Sequence, residues 1–168
     1  MGERYSPTTS ALDESMMRRA ISLARQAAGW TNPNPLVGAV VVKDGRIIGE
    51  GCHERYGELH AERNALAACG ESPAGATLYV TLEPCPMCAG AIVQSRIDRV
   101  VIGCMNPKAG CAGSVLDILG EPGFNHQVQV TEGVLREDCS ELMSSFFKKL
   151  REERKAEKLR LKDEDRCT

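Results

Sequence analysis

Two short segments of the chain carry side chains that could hold a metal ion and move a proton. The first reads His-Ala-Glu at positions 60–62, and the second reads Pro-Cys-Pro-Met-Cys at positions 84–88. A catalytic zinc takes three protein ligands and keeps a fourth position for water, and His60, Cys85 and Cys88 would supply those three. Bound zinc lowers the pKa of water towards about 7. The carboxylate two residues after His60 is close enough in sequence to reach the same water.

Other readings of the two segments are weaker. Cys85-x-x-Cys88 alone is also the spacing of a redox dithiol, but the adjoining Pro84 and the upstream His-x-Glu argue against one. A structural zinc would need a fourth ligand, for which the candidates are His53, His126 and the six other cysteines, none in a second Cys-x-x-Cys. The interpretation that the pattern favours is a catalytic zinc site in which Glu62 carries the proton.

Composition places the chain among single-domain globular proteins. It has 168 residues and a net charge of −2, enough for one domain with a full core and without a global basic field that would attract nucleic acid. The first fifteen residues are polar and no apolar run approaches 18 residues, so we expect no signal peptide and no membrane span. A cytoplasmic protein with reduced cysteines is the expectation.

Hydrophobic periodicity predicts alternating helices and strands. Helices are expected over 12–28, with Asp13 or Ser15 as the cap, and over 60–68, 87–94 and 135–161, with a further helical stretch at 114–119. Strands are expected over 36–42, 47–52, 77–82, 99–104 and 127–131, the first two joined by an Asp-Gly hairpin turn. The long connection before the last strand leaves room for a crossover helix and a parallel pair. The fold class is α/β: a three-layer α/β/α domain around a five-stranded mixed sheet.

Three regions are expected along the chain. Residues 1–10 are expected to be disordered, residues 11–156 to form the zinc-dependent domain, and residues 157–168 to form a charged C-terminal tail. The last 21 residues hold nine Lys or Arg and six Asp or Glu, a local charge of +3 on a body of −5. A basic end on an acidic body is what a local contact with phosphates requires, although a solvated helix explains the same composition.

The metal-binding segments have the H-x-E and P-C-x-x-C spacing of the zinc nucleobase deaminases, and the chain resembles the cytidine deaminase superfamily with its three-layer fold. The second half is similar to the bacterial tRNA-specific adenosine deaminases. The residues that carry this likeness are Leu-Tyr-Val-Thr-Leu-Glu-Pro-Cys-Pro-Met-Cys-Ala-Gly-Ala-Ile at 78–92, then 95–97, 107–114, 124–126, 132–135 and 146–147. This resemblance implies deamination of adenosine to inosine at the tRNA wobble position by a homodimer that binds the anticodon arm.

The first half instead resembles the pyrimidine deaminase of riboflavin biosynthesis. Asn-Pro-Asn-Pro-Leu-Val-Gly at 32–38, the following strand and turn to residue 45, His53 and residues 75–77 carry this likeness. The tRNA enzymes usually have Asn at the position of His53. The riboflavin enzymes in turn space their two zinc cysteines farther apart than Cys85 and Cys88. The alternative function is therefore deamination of a small nucleotide such as the diaminopyrimidine ribonucleotide of that pathway.

The resemblances also imply roles outside the zinc site. Substrate contacts are expected at Asn34, His53 and Ala61. RNA contacts are expected at Lys108, Phe147, Lys148 and Lys149, although Phe147 could equally be a core residue. A last alternative is a catalytically silent, zinc-containing RNA-binding subunit, which the intact Glu62 disfavours.

Overall fold

The computed structural model describes residues 9–165 of the chain, with side chains described as far as residue 162. Nine elements follow one another in the order α1 (Ala11–Gln26), β1 (Gly38–Lys43), β2 (Arg46–Cys52), α2 (Ala61–Ala67), β3 (Thr77–Leu82), α3 (Pro86–Gln94), β4 (Arg99–Cys104), β5 (Gln129–Glu132) and α4 (Arg136–Asp165). The prediction of disorder over residues 1–10 falls mostly on residues 1–8, which lie outside the described residues.

The five strands form one mixed sheet in the order β2-β1-β3-β4-β5. Strand β1 is antiparallel to both β2 and β3, whereas β3, β4 and β5 run parallel. The hairpin between β1 and β2 turns at Asp44 and Gly45, whose φ angles of 50° and 73° lie in the left-handed region that Asp-Gly turns require. The predicted five-stranded mixed sheet is therefore confirmed.

Alternate residues of each strand pack on opposite faces of the sheet. On one face, Ala39, Val41, Leu78 and Val80 pack with α2 and α3. On the other, Val40, Val42, Tyr79 and Val101 pack with α1 and the start of α4. The result is the expected three-layer α/β/α arrangement, with α2 and α3 together on the face that carries the metal-binding segments.

Two local predictions are wrong. Helix α1 is capped by Ser10, whose hydroxyl accepts from the backbone N–H of Asp13, while the Asp13 side chain accepts from the Ser10 N–H. This reciprocal capping box begins the helix earlier than Asp13 or Ser15 would. The predicted helix at 114–119 is absent: the segment is a series of turns with one isolated bridge, Ala112 to Asp117. The connection between β4 and β5 is long enough to join two parallel strands without a helix.

Helix α4 continues without a break past residue 156 to Asp165. From Arg151 to Lys162 every side chain is exposed, so this half of the helix has no packing partner within the described part of the chain. The division into a domain ending at 156 and a tail from 157 stays a prediction. None of the helices between residues 9 and 165 is both long and apolar enough to span a membrane.

A buried carboxylate ties α1 to the sheet. Asp13 is 1% exposed and accepts hydrogen bonds from both terminal nitrogens of Arg99 at 3.0 Å and from the Tyr79 hydroxyl at 2.9 Å. Burial alone would raise the pKa of Asp13, but these bonds and the Ser10 backbone N–H together lower it below its ordinary value. The carboxylate is therefore ionised and fully paired, which links the start of α1 to β3 and β4.

Candidate metal centre and active site

Two helix N-termini bring the metal-binding segments together. His60 is the N-cap of α2, after the loop that leaves β2, and Cys85 is the N-cap of α3, three residues beyond the end of β3. Pro86 at the first position of α3 suits a site where no backbone N–H is needed. One helical turn then places Cys88 on the same side as Cys85, so the Cys-x-x-Cys spacing presents both sulfur atoms to His60.

The three ligand atoms lie at zinc-binding distances. Nδ1 of His60 is 3.5 Å from Sγ of Cys85 and 3.5 Å from Sγ of Cys88, and all three atoms lie within 4.8 Å of one another. A tetrahedral zinc with Zn–S of about 2.3 Å and Zn–N of about 2.0 Å holds its nitrogen and sulfur ligands about 3.5 Å apart. The donor set and its geometry therefore fit zinc, and no fourth protein ligand joins the three among the described residues.

Burial and charge at the ligand group favour thiolate chemistry. A hydrogen bond from the Cys88 thiol, together with the Cys88 backbone N–H and nearby His60, lowers the pKa of Cys85 to about 5. The same contact between the two sulfur atoms, together with burial, raises the pKa of Cys88. The pair thus shares a single negative charge readily, and a bound cation favours ionisation of both.

Glu62 lies beside the ligands without being needed as one. Its carboxylate is 4% exposed and is in hydrogen-bond contact with the Cys88 thiol. Burial raises the pKa of Glu62 to about 7, and the hydrogen bond from its own backbone N–H offsets this only in part. A carboxyl group of that pKa can both accept and donate a proton near neutral pH.

A cavity opens directly in front of these groups. It has a volume of about 180 Å³, and its lining includes His60, Cys85, Glu62, Asn34, His53, Glu83, Asn106 and Ala109, with Pro35, Val37 and Leu82 supplying apolar walls. A concave site with apolar walls and a few converging polar groups is typical of small-ligand recognition. A planar base entering this cavity would face the open position of the metal and Glu62 together.

Asn34 and His53 form one hydrogen-bonded unit in the cavity wall. Nδ1 of His53 donates to the Leu59 carbonyl at 3.0 Å, so Nε2 of the neutral ring accepts from Nδ2 of Asn34 at 3.1 Å. Both ring nitrogens of the buried His53 are thereby engaged by the protein. The amide oxygen of Asn34 has no hydrogen-bond partner among the described residues, which makes Asn34 the member of the unit available to a substrate. A direct contact from His53 to the base stays a prediction.

Sequence reasoning missed Glu83, a buried carboxylate of the cavity wall that lies outside the group of three ligand residues. Glu83 is 2% exposed and accepts from the backbone N–H groups of Asn106 at 2.8 Å, Ala112 at 2.9 Å and Ser114 at 3.0 Å. The Ser114 hydroxyl donates a fourth, short hydrogen bond. An acidic residue at the end of a buried strand, directly before Pro84, was the available signal, because such a residue is seldom buried without a purpose.

The remaining predicted site residues lie outside the cavity lining. Ala61 is 0% exposed and packs in the core between α2 and the sheet. Lys108 is exposed, next to Ala109 of the lining. Phe147 is half-buried with its ring edge-on to Phe146 at 5.3 Å, and Lys148 and Lys149 beside it are exposed. Their roles in substrate or RNA binding stay predictions.

The three-layer fold and the geometry of the three ligand atoms are those of a zinc-binding domain of the deaminase class. Residues 10–104 match the family model of the cytidine and deoxycytidylate deaminase zinc-binding region. The chain belongs to this family, and its cofactor is zinc. The resemblance expected from residues 60–62 and 84–88 is confirmed.

Two groups of relatives within the family are similar to the chain. It is 48% identical over 141 residues to the riboflavin biosynthesis protein RibD of Actinobacillus pleuropneumoniae, covering 80% of this chain but 36% of that protein. It is 44% identical over 160 residues to the tRNA-specific adenosine deaminase of Bacillus subtilis, covering 90% of this chain and 98% of that protein. A solved tRNA:A34 deaminase, which edits A to I at the wobble position of transfer RNA, superposes with a TM-score of 0.67 at 37% identity over 77% of this chain and 99% of that one. The chain therefore spans about a third of the RibD relative and nearly all of the tRNA-specific one.

Proposed function

We propose that the protein deaminates adenosine to inosine at the wobble position of tRNA. The observation that carries this proposal is that a complete catalytic constellation, three ligand atoms and a buried proton carrier, lies in an open cavity of a chain that aligns with a tRNA-specific adenosine deaminase along 98% of that protein. The alignment leaves almost none of that relative's length uncovered. The adenosine would leave its stack and enter the cavity base first.

Each residue has a definite task in this reaction. His60, Cys85 and Cys88 would hold the zinc, which when bound lowers the pKa of a water molecule to about 7 and so supplies a nucleophile for C6 of the base. Glu62 takes a proton from the attacking water and delivers it to N1 of the purine. It then takes the remaining proton of the new C6 hydroxyl group and transfers it to the C6 amino group, so that the C6–N bond breaks, the C6=O bond of inosine forms and ammonia leaves. The Asn34 amide oxygen accepts from the base or the ribose.

Positive charge on α4 supports an RNA substrate. Arg151, Lys155, Lys158 and Lys162 recur at intervals of four, three and four residues, so they form one stripe along the exposed half of the helix. The acidic residues Glu152, Glu153 and Glu157 fall on other faces. At a rise of about 1.5 Å per residue, the stripe is long enough to follow several phosphates of one strand.

The face of α4 opposite the stripe borders one loop of the cavity. Lys149 of α4 lines a groove together with Asn32 and Leu36. The same loop supplies Asn34 and Pro35 to the cavity wall. An RNA strand whose flipped base occupies the cavity would therefore pass over this loop on its way to α4, which supports contacts at Lys148 and Lys149.

Neutralising the stripe tests this interface. We expect the quadruple variant in which Arg151, Lys155, Lys158 and Lys162 are changed to Gln to raise KM for a stem-loop and to flatten its dependence on salt. The slope of a log–log plot should fall by about 0.7–0.9 for each phosphate that the variant no longer neutralises. Arg160→Gln, on the opposite face of the helix, is the control. An unchanged salt dependence in the quadruple variant would mean that the stripe is only a solvated surface.

A second candidate, deamination of a small pyrimidine nucleotide, is favoured by a specific observation. The Asn34–His53 unit belongs to the part of the chain that resembles the riboflavin enzymes, and the RibD relative is 48% identical. Zinc-loaded protein offered an anticodon stem-loop with wobble adenosine and, separately, the diaminopyrimidine ribonucleotide distinguishes the two. Ammonia release with inosine formed in the stem-loop supports the tRNA assignment. Turnover of the small nucleotide alone overturns it.

We also propose a cytoplasmic homodimer, because an enzyme of the anticodon loop works where tRNA is used. The outer surface of α2 and α3 supports a dimer: a shallow groove there is lined by Leu59, Leu66, Ala67 and Ala91. Residues Ala89, Ile92 and Val93 of α3 are buried in the core instead, so they are not available to a partner. Sedimentation equilibrium of wild-type protein and of Ala91→Glu tests the assignment, with a monomeric variant expected.

A further inference from the structure

The segment 106–114 forms one wall of the cavity and has little regular structure of its own. Asn106 and Ala109 contribute to the lining, yet the segment consists of turns. Backbone hydrogen bonds hold the loop to itself: the N–H of Gly110 donates to the Asn106 carbonyl at 2.8 Å, and that of Ile118 donates to the Cys111 carbonyl at 3.0 Å. The Cys111 N–H also donates to the Pro84 carbonyl at 2.8 Å, which joins the segment to the chain beside the metal site. The Glu83 side chain adds further contacts between the two.

The Glu83 carboxylate meets this segment at both ends. Its Oε2 accepts from the N–H of Asn106 and from the Ser114 hydroxyl, and its Oε1 accepts from the N–H groups of Ala112 and Ser114. A carboxylate has about four acceptor positions, and all four are taken by one stretch of chain. No ion pair to Glu83 is found among the side chains described, so these four hydrogen bonds are its polar contacts there.

The fit between the carboxylate and the segment is close. A Cβ placed on Gly110 would overlap Oε2 of Glu83 and would lie 2.7 Å from the Asn106 carbonyl oxygen. Only glycine at position 110 therefore allows the segment to wrap the carboxylate. Because the Gly110 backbone and the Glu83 carboxylate are in contact, a change at either residue must displace the wall.

We propose that Glu83 is a positioning residue that holds segment 106–114 in place as the substrate-facing wall, and so determines the affinity for the substrate rather than metal binding or proton transfer. The proposal rests on the deaminase function proposed above for the site that Glu83 borders. The two buried carboxylates of the cavity, Glu62 and Glu83, therefore have different roles. Glu62 faces the metal ligands, whereas Glu83 uses every acceptor position on protein donors.

Glu83→Gln tests the proposal, because glutamine keeps the shape but replaces one acceptor oxygen by an NH₂ group. At the Oε2 position that group loses one N–H partner, against two at Oε1, so we expect it there. It can still donate to the Ser114 hydroxyl but cannot accept from the Asn106 N–H, so the Asn106 end of the wall is released. We expect KM for the substrate that the wild type turns over to rise about tenfold or more. We expect kcat to change less than about threefold, since the Glu62 and zinc geometry is retained, and the zinc content to stay at wild-type level.

Hydrogen exchange gives a readout that does not depend on the substrate. In Glu83→Gln the Asn106 and Gly110 amides should exchange at least about tenfold faster, while the amides of β4 keep their protection. Unchanged exchange at Asn106 would overturn the proposal, as would an unchanged KM or a loss of zinc in the folded variant. If the wild type turns over neither substrate, the deaminase assignment fails, and the exchange experiment still decides whether Glu83 holds the wall.

Two further variants keep the test valid if Glu83→Gln does not fold. Ser114→Ala removes one donor and leaves the charge, and should raise KM less than Glu83→Gln. Gly110→Ala places a methyl group against the Glu83 carboxylate, so it displaces the wall while the carboxylate keeps its chemistry, and it should raise KM with zinc retained. Glu141→Gln, an exposed carboxylate on α4, is the matched control and should change neither KM nor exchange.

Discussion

Two buried carboxylates in this molecule have opposite surroundings. Asp13, at the start of α1, is paired with Arg99 and Tyr79, and these hydrogen bonds lower its pKa despite burial. Glu62, at the start of α2, has no protein cation paired with it among the described side chains, and burial raises its pKa to about 7. Both residues lie in the first turn of a helix, so local sequence position does not account for the difference.

The contrast separates a structural carboxylate from a reactive one. A buried charge that is fully paired holds elements together and exchanges no proton, whereas the Glu62 carboxyl, which has no protein cation paired with it among the described side chains, can exchange one near neutral pH. Unpaired burial lowers stability, and proteins retain it mainly at functional sites. Variants of Glu62 should therefore lose turnover, and variants of Asp13 should lose stability.

The largest effect is expected from removing a metal ligand. His60→Ala should lose zinc and reduce turnover by about 10³-fold or more, since the metal contributes several kcal/mol to the reaction. Zinc content by atomic absorption and ammonia release measure both. His126→Ala is the control, because the Nε2 of His126 donates to the Ile97 carbonyl at 2.7 Å, on the side of the fold away from the cavity lining. Full zinc retention in His60→Ala would contradict the ligand assignment.

Glu62→Gln should separate metal binding from proton transfer. Gln keeps the volume of Glu62 but cannot carry a proton, so kcat should fall about 10²–10⁴-fold with one zinc still bound. The free energy of unfolding should not decrease, because no paired charge is lost. Glu141→Gln serves as the control. Loss of zinc from Glu62→Gln would instead make Glu62 a ligand.

Asp13→Ala should give the converse result, a loss of stability with kcat preserved. Removing one partner of a buried pair leaves Arg99 uncompensated, at a cost of about 3 kcal/mol. Urea unfolding at 25 °C measures this cost, and Glu14→Ala, an exposed neighbour in α1, should cost far less. A reduced kcat with normal stability would contradict the structural role assigned to Asp13.

The pH dependence of Asp13 follows from the direction of its pKa shift. A carboxyl whose pKa is lower in the folded than in the unfolded state stabilises the protein above its unfolded pKa of about 3.9. That contribution disappears as the pH falls through the lowered folded pKa. The difference in unfolding free energy between wild type and Asp13→Ala should therefore be constant near neutral pH and shrink in acid.

The metal site and the Asp13–Arg99 pair also differ in how far the sequence predicts them. Strands β3 and β4 and the helix positions of His60 and Cys85 follow from periodicity and from spacings of two to four residues, which local geometry converts directly into neighbouring atoms. The Asp13–Arg99 pair joins residues 86 positions apart, and the Glu83 contacts join residues 23 to 31 positions apart. No local pattern encodes such contacts, because they depend on how the layers pack.

The same reason explains the wrong predictions within the fold. Residues 114–119 have helical spacing, but the N–H of Ile118, which would donate to the Ser114 carbonyl in a helix, donates to the Cys111 carbonyl, and the N–H and hydroxyl of Ser114 donate to Glu83. Tertiary hydrogen bonds therefore replace the helical ones. At α1 the sequence does hold the answer, since Ser10 and Asp13 stand at the spacing of a capping box. Residue type alone does not distinguish Ser10 from Asp13 or Ser15 as the N-cap of α1, because Ser and Asp are both common at N-caps.

The smallest effect is expected from a substitution that changes selectivity rather than rate. His53 donates to the Leu59 carbonyl and accepts from Asn34, and the shorter side chain of His53→Asn cannot span both partners. The Asn34 amide would then be free to reorient towards the substrate. Because the tRNA-specific enzymes usually have Asn at this position, the ratio of kcat/KM for the stem-loop to that for the small nucleotide should rise about tenfold, roughly 1.4 kcal/mol.

His53→Asn also has an expected effect on stability. His53 is buried and polar, as Asp13 is, but its hydrogen bonds lead to a residue of the cavity wall instead of joining distant elements. Some loss of stability is expected from a partner left unsatisfied, about 1–3 kcal/mol, so both substrates are assayed well below the unfolding transition. His126→Asn is the matched control. If the ratio stays constant while stability falls, His53 supports the fold alone, and selectivity must reside in segment 106–114 and in α4.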